Sequence, residues 1–287
     1  MIHQKLLATN GKVAHVSLKG KVSATRFVEG ERRQVVAPLA DLRAAPDGGL
    51  DCQLLHGANF LVLDRMPDSG TGDSYCFGQA EKDGYVGYVR ADCLGAPVAV
   101  THRVRALATH VYRAPDIKSG ARYGLPFLAE VAATPATPGF FKVEDGYIPA
   151  QHLEAQGSCA PDFVGVLEGF LGIPYLWGGN STWGMDCSGA VQLALFGAGI
   201  PCLRDADMQQ AGLGCAIEDC QNFRRGDLVF WRGHVGVMAD AHMLIHANAT
   251  HMVVTREPLQ TVRDRCIAAG DGPVTAIRRI SEAHPVE

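Results

Sequence analysis

The sequence predicts an α+β fold: two small β-barrels, followed by a core in which helices come first and antiparallel strands follow. Three observations predict it. From about residue 34, short strand-like runs recur between turn signals with almost no helical period. That pattern then repeats in order. From about residue 160 the chain turns helical, and from residue 227 strands dominate again.

Composition permits such a chain. With 287 residues, 47% hydrophobic and 20% charged, it has material for two or three small domains and a real core. A net charge of −4 argues against nucleic acid or an anionic membrane as partner. No run approaches the roughly 20 apolar residues of a membrane span. The N-terminus shows no long apolar segment of the signal-peptide kind, and the 9 cysteines are scattered. Both point to reduced thiols and a cytoplasmic location.

Residues 1–33 mix Val13, Val16, Leu18 and Val22 with charges, and read as an extended arm that packs on a later domain. Residues 34–98 supply Val35–Leu39, Gln53–Leu55, Phe60–Leu63, Ser74–Phe77 and Tyr85–Val89 as strands, with Asp68–Gly72 as a hairpin-like loop. The segment Ala37–Asp47 has an echo in Arg105–Asp116, and Asp83–Leu94 has one in Asp145–Leu153. Offsets of about 60 to 70 residues fit tandem small domains, 34–98 and 99–155, rather than solenoid units. Both segments resemble bacterial SH3-like domains, which often carry this Gly-Tyr-Val ending.

Residues 160–287 form the last domain. Phe163, Val164, Val166, Leu167, Phe170 and Leu171 leave one apolar helix face. A glycine-rich loop then ends on Cys187, and a helix follows to about Gly197–Gly199. A cysteine in the first turn sits at the positive end of the helix dipole, which lowers a thiol pKa and favours a thiolate nucleophile. The strands Asp227–Trp231, Val235–Met238, Met243–His246 and Met252–Thr255 come next, then a helix from Pro258 to Ala269 and a closing strand, Val274–Ile277.

A thiol nucleophile needs a base, and the base an orienting group. His234 opens one strand and His246 ends the next, so a hairpin makes them neighbours. His234 is the candidate base and His246 the candidate orienter.

Asp-Cys-Ser-Gly at 186–189, Gly-His-Val-Gly-Val at 233–237 and Ile-His-Ala at 245–247 resemble the NlpC/P60 cysteine peptidases, which have a papain-like core. So do Gly172–Gly179 and Arg225–Trp231. With two SH3-like barrels ahead, the layout looks like the γ-D-glutamyl-L-diamino acid endopeptidases of the dipeptidyl-peptidase VI type. The resemblance implies cleavage of the γ-D-Glu–diamino acid bond in peptidoglycan-derived peptides with a free N-terminal L-Ala, without metal or cofactor. It implies Cys187 as nucleophile, His234 as base and His246 as orienter. Tyr175 would serve the oxyanion site, Asp186 would hold the substrate amine with Ser188 beside it, and Trp177 would line the pocket. Tyr85 matches the first-barrel tyrosine that limits the cleft. Together with the location, this implies recycling of wall peptides.

Two positions depart from that pattern. Ala58 stands where a glutamate usually binds the amine, and Ala206 where a serine usually follows Arg-Asp. Asp207 or Asp51 are candidates to compensate. Other readings are an inert wall-peptide binder and an amidase or acyltransferase on the same core. Cys202, Cys215 and Cys220 match no common zinc spacing. The glycine loops lack the phosphate-loop lysine.

Overall fold

The computed structural model describes residues 3–66, 74–218 and 222–280. The hairpin-like loop expected at Asp68–Gly72 lies outside these, as does Cys220. The chain divides into two compact units, Met1–Ser158 and Cys159–Glu287.

In the first unit a seven-stranded sheet runs in the order Leu50–Leu55, Leu39–Arg43, Val86–Arg90, Tyr75–Ala80, Asn59–Met66, Glu31–Val35, Leu94–Gly95. Every pairing in it is antiparallel. Burial alternates along Leu39–Arg43, as it must when one face of a strand meets a core and the other meets solvent. The N-terminal arm packs on this barrel: Ala8, Val13, Ala14 and Leu18 are buried together with Leu63 and Phe77. The sheet takes in Glu31, slightly ahead of the expected start.

A second set of strands closes around Val104, Val111, Leu125, Ala129, Ile148 and Leu153. The internal echo is structural as well as sequential. The strands Val86–Arg90 and Gly146–Pro149 are each followed by a 3-10 turn and a short strand, Ala91–Cys93 then Leu94–Gly95, and Ala150–His152 then Leu153–Ala155.

The barrels touch at Gly57. Glu130 N–H donates to His56 O at 2.9 Å. Gly57 has φ +84°, and a Cβ there would lie 2.3 Å from Glu130 O. Only glycine fits both the left-handed backbone and the close approach.

The second unit has helices α1 (Phe163–Glu168), α2 (Cys187–Gly197), α3 (Ala206–Gly212) and α4 (Leu259–Ala269). Its six-stranded antiparallel sheet runs Cys215–Ala216, Ala276–Arg279, Asp227–Trp231, His234–Met238, Met243–Asn248, Val253–Pro258. Asp162 caps α1 by accepting from Val164 N–H at 2.9 Å. Every residue of α2 except Phe196 is buried, the mark of a helix enclosed by its domain. The other face of the sheet is covered by α4: Leu259, Val262 and Cys266 pack on Val229, Trp231, Met238 and Leu244. Gly270 stops α4 in the left-handed conformation, φ +84°. The polar stretch after Leu203 holds α3, which its sequence did not announce.

Gly57→Ala and Gly120→Ala separate the two demands on glycine. Gly120 has φ +78° but open space around it. Urea denaturation will show a loss of about 1 kcal/mol for Gly120→Ala and about 3 kcal/mol for Gly57→Ala. Equal losses would mean that the barrels do not depend on the close approach.

Candidate active site

The loop ahead of α2 is built to stop at Cys187. Asn180–Ser181 pairs with Gly184–Met185 as a tight hairpin, and Tyr175 N–H donates to Met252 O at 2.8 Å. Asp186 then takes the N-cap of α2. Its Oδ1 accepts from Gly189 N–H at 2.7 Å and Ser188 O–H at 3.3 Å, and its Oδ2 from Gly178 N–H at 3.0 Å. Arg204, 1% exposed, donates to both oxygens at 2.9 and 2.8 Å. Removing one partner of such a buried pair costs about 3–5 kcal/mol, because the other charge is left without a counterpart. Gly189 lies so close to the loop that a Cβ would sit 2.4 Å from Gly179 O.

Cys187, Tyr175, His234 and His246 line one cleft of about 240 Å³, with Arg232, Asn248 and Arg265. Strand register brings the histidines together. Val237 pairs with Ile245 and Met238 with Leu244, which makes His234 and His246 diagonal neighbours on one sheet face. His234 Nε2 and His246 Nδ1 are 2.7 Å apart. On the next strand Leu244 pairs with Glu257 and His246 with Thr255, so Glu257 continues the diagonal. His246 Nε2 and Glu257 Oε1 are 2.7 Å apart. Arg265, from α4, donates to both Glu257 oxygens at 2.9 and 2.7 Å.

Burial decides the protonation of this row. Desolvation pushes the Cys187 thiol up to about 12, and the Asp186 charge adds to it against the Val235 and Ser188 N–H groups. Desolvation and the neighbouring His246 lower His234 to about 3. Burial also lowers His246, against the pull of Glu257. Burial works to raise the Glu257 carboxyl, but hydrogen bonds from His246 and Arg265 win and hold it well below the usual carboxylate range. Burial thus works against charge on both Cys187 and His234. It opposes the thiolate expected from helix position: a helix N-terminus contributes roughly 0.3–1 kcal/mol at exposed sites and about 2 when partly buried, less than the desolvation of a buried thiolate.

The structure thus gathers Cys187, His234, His246 and Tyr175. Burial, with the Asp186 charge adding to it, raises the Tyr175 hydroxyl to about 12, so it stays a donor. Three other expectations are corrected. Asp186 was expected to hold a substrate amine, but its oxygens are already filled, since a carboxylate offers about four lone-pair directions. It is a structural cap. Ser188 is buried in the same knot: its hydroxyl donates to Asp186 and accepts from Arg204 at 2.8 Å. Trp177 is 73% exposed and does not line the cleft.

Tyr85 lies in the first unit, fully buried, with Lys5 Nζ 5.2 Å from its ring centroid. Asp51 is paired with Lys5 at 3.4 Å, and Asp207 sits in the first turn of α3 and accepts from Met208 N–H. Sequence reasoning missed Glu257, Arg265 and the buried role of Arg204. Among the described residues, no group of three or more His, Cys, Asp or Glu side chains is placed to hold a metal ion.

Residues 172–268 match the NlpC/P60 family, and residues 42–94 match the bacterial dipeptidyl-peptidase Sh3 domain. A γ-D-glutamyl-L-lysine dipeptidyl-peptidase of Bacillus subtilis (strain 168) is 32% identical over 142 residues, 44% of this chain and 47% of the relative. Dipeptidyl-peptidase 6 of Lysinibacillus sphaericus is 30% identical over 101 residues, 34% of this chain and 36% of the relative. The matched stretch spans half or less of these relatives. Among solved structures, an NlpC/P60 family protein from Bacillus cereus ATCC 10987 has a TM-score of 0.69 at 19% identity, covering 87% of this chain and 99% of that one. This likeness shows the α+β fold.

A neutral resting pair has a spectroscopic signature. The difference spectrum between the protein and Cys187→Ala will show no ultraviolet thiolate absorbance at pH 7, and alkylation of Cys187 by iodoacetamide will keep rising above about pH 9. Thiolate absorbance at pH 7, with alkylation flat between about pH 5 and 8, would mean that Cys187 and His234 rest as an ion pair.

Proposed function

We propose that this chain, with an NlpC/P60 domain behind a bacterial dipeptidyl-peptidase SH3 domain, is a cysteine peptidase that hydrolyses the γ-D-Glu–diamino acid bond of peptidoglycan-derived peptides. The observation that carries the reading is a cysteine and a hydrogen-bonded histidine pair lining one cleft. The names of the relatives supply the bond class.

The chemistry follows from the neutral resting state. As Cys187 Sγ attacks the γ-glutamyl carbonyl, its proton passes to His234. Because His234 Nε2 is engaged by His246, the nitrogen left to take that proton is Nδ1. The oxyanion that forms draws on the Cys187 N–H at the start of α2 and on the Tyr175 hydroxyl. His234 returns its proton to the leaving amine, and the C–N bond breaks to give a thioester. Water, activated by the same imidazole, then releases the dipeptide acid and restores the thiol.

With Asp186 occupied, the free-amine requirement rests on other groups, and Ala58 and Ala206 remove two more. The reading therefore centres on cleavage of the γ-glutamyl bond. Cys76, Cys93, Cys187, Cys215 and Cys266 are free thiols. This supports a reducing compartment, where wall fragments would be recycled rather than intact wall cut.

Incubation with L-Ala-γ-D-Glu-L-Lys and its diaminopimelate counterpart will release L-Ala-γ-D-Glu. Cys187→Ala will abolish release, and His234→Ala will lower it by at least about 1000-fold. Binding without cleavage would favour an inert binder. Products appearing only with an added amine acceptor would favour an acyltransferase.

A further inference from the structure

We infer that Glu257, anchored by Arg265, is a positioning residue that sets the tautomer of His246 and, through it, of His234, leaving His234 Nδ1 as the site that receives the Cys187 proton. The inference rests on the peptidase reading for its kinetic consequence, but not for its structural content.

An ionised carboxylate only accepts hydrogen bonds. Glu257 lies 2.7 Å from His246 Nε2, so that nitrogen carries the proton. Burial keeps His246 neutral, so its Nδ1 is bare and accepts. His234 Nε2, 2.7 Å away, must then be the donor. A neutral imidazole has one N–H, so His234 Nδ1 is left with its lone pair, and both rings are fixed from a residue two strands away.

Arg265 explains why the effect is one of orientation rather than charge. Its guanidinium grips both Glu257 oxygens and holds the carboxylate in one rotamer. It also offsets the carboxylate charge, so Glu257 does little to raise the basicity of His234, in keeping with the lowered His234. Two other titratable groups face Glu257: Cys266 on α4, whose thiol is raised by burial with the Glu257 charge adding to it, and His251, whose Nδ1 lies 3.8 Å from Oε1. His251 is half-exposed, and its Nδ1 also meets Asn248 Oδ1 at 3.0 Å. The row His234–His246–Glu257–Arg265 thus crosses three strands and ends on α4.

Glu257→Gln is the discriminating variant. Its amide can present either an oxygen or an NH₂ to His246 Nε2, so it no longer dictates the tautomer. Proton-detected ¹⁵N correlation spectra of histidine-labelled protein read the tautomers directly, without substrate. The unsubstituted protein will show both rings as Nε2–H. Glu257→Gln will show a mixture at His246, and kcat for the γ-glutamyl peptide will fall about 100-fold with KM little changed. Glu257→Asp with its shorter reach will recover part of kcat. An Nδ1–H tautomer at His246 in the unmodified protein, or unchanged tautomers and kcat in Glu257→Gln, would overturn the inference. If the tautomers behave as stated while no peptide is cleaved, the positioning role stands and the peptidase reading fails.

Discussion

The carboxylate of Asp186 receives the Gly178 and Gly189 N–H groups, the Ser188 hydroxyl and both ends of the Arg204 guanidinium. This knot fixes where the glycine loop ends and α2 begins, and so where Cys187 stands. Its charges are buried, so it holds together only as a complete set: a missing partner leaves an uncompensated ion in a low-dielectric interior. The strands bring the histidines to the cleft, but the knot brings the sulfur to them.

The same burial that makes the knot strong shapes the chemistry. The desolvation that makes Arg204 necessary to Asp186 also disfavours a bare thiolate and an imidazolium at rest. Activation is then postponed to the moment of attack, when the substrate carbonyl takes the sulfur's charge and N–H and O–H donors wait for the oxyanion. In such a scheme the direction of each imidazole matters more than its basicity. The row of hydrogen bonds running from His234 to Arg265 supplies that direction, since proton transfer from sulfur needs a lone pair aimed at it and held there.

Features set by neighbours in the chain were legible from sequence. The glycine loop, the cysteine at a helix start and the paired histidine strands are local patterns, and the β-barrel echo is a repeated turn grammar. Features set by tertiary register were not. Glu257 shares a face with His246 only because Leu244 pairs with Glu257, and nothing around Arg-Glu-Pro at 256–258 announces that pairing. Asp186 looked available for a ligand because its partner Arg204 lies beyond the whole of α2. The family resemblance put Trp177 on the wall of the cleft, yet it is exposed and lies outside the residues that line it. The thiol's protonation escaped for a related reason: a helix start is visible in sequence, but the burial that outweighs it is not.

The central claim is that Cys187 attacks as a thiol deprotonated in step and passes through a thioester. Rapid acid quench of the reaction with L-Ala-γ-D-Glu-L-Lys, followed by intact-mass and peptide mass spectrometry, tests it most directly. The account predicts an L-Ala-γ-D-glutamyl adduct on Cys187 that forms before the product accumulates and is lost as it does. Product formation with Cys187 unmodified at every quench time, in a Cys187→Ala protein, or with the adduct on another residue, would contradict it.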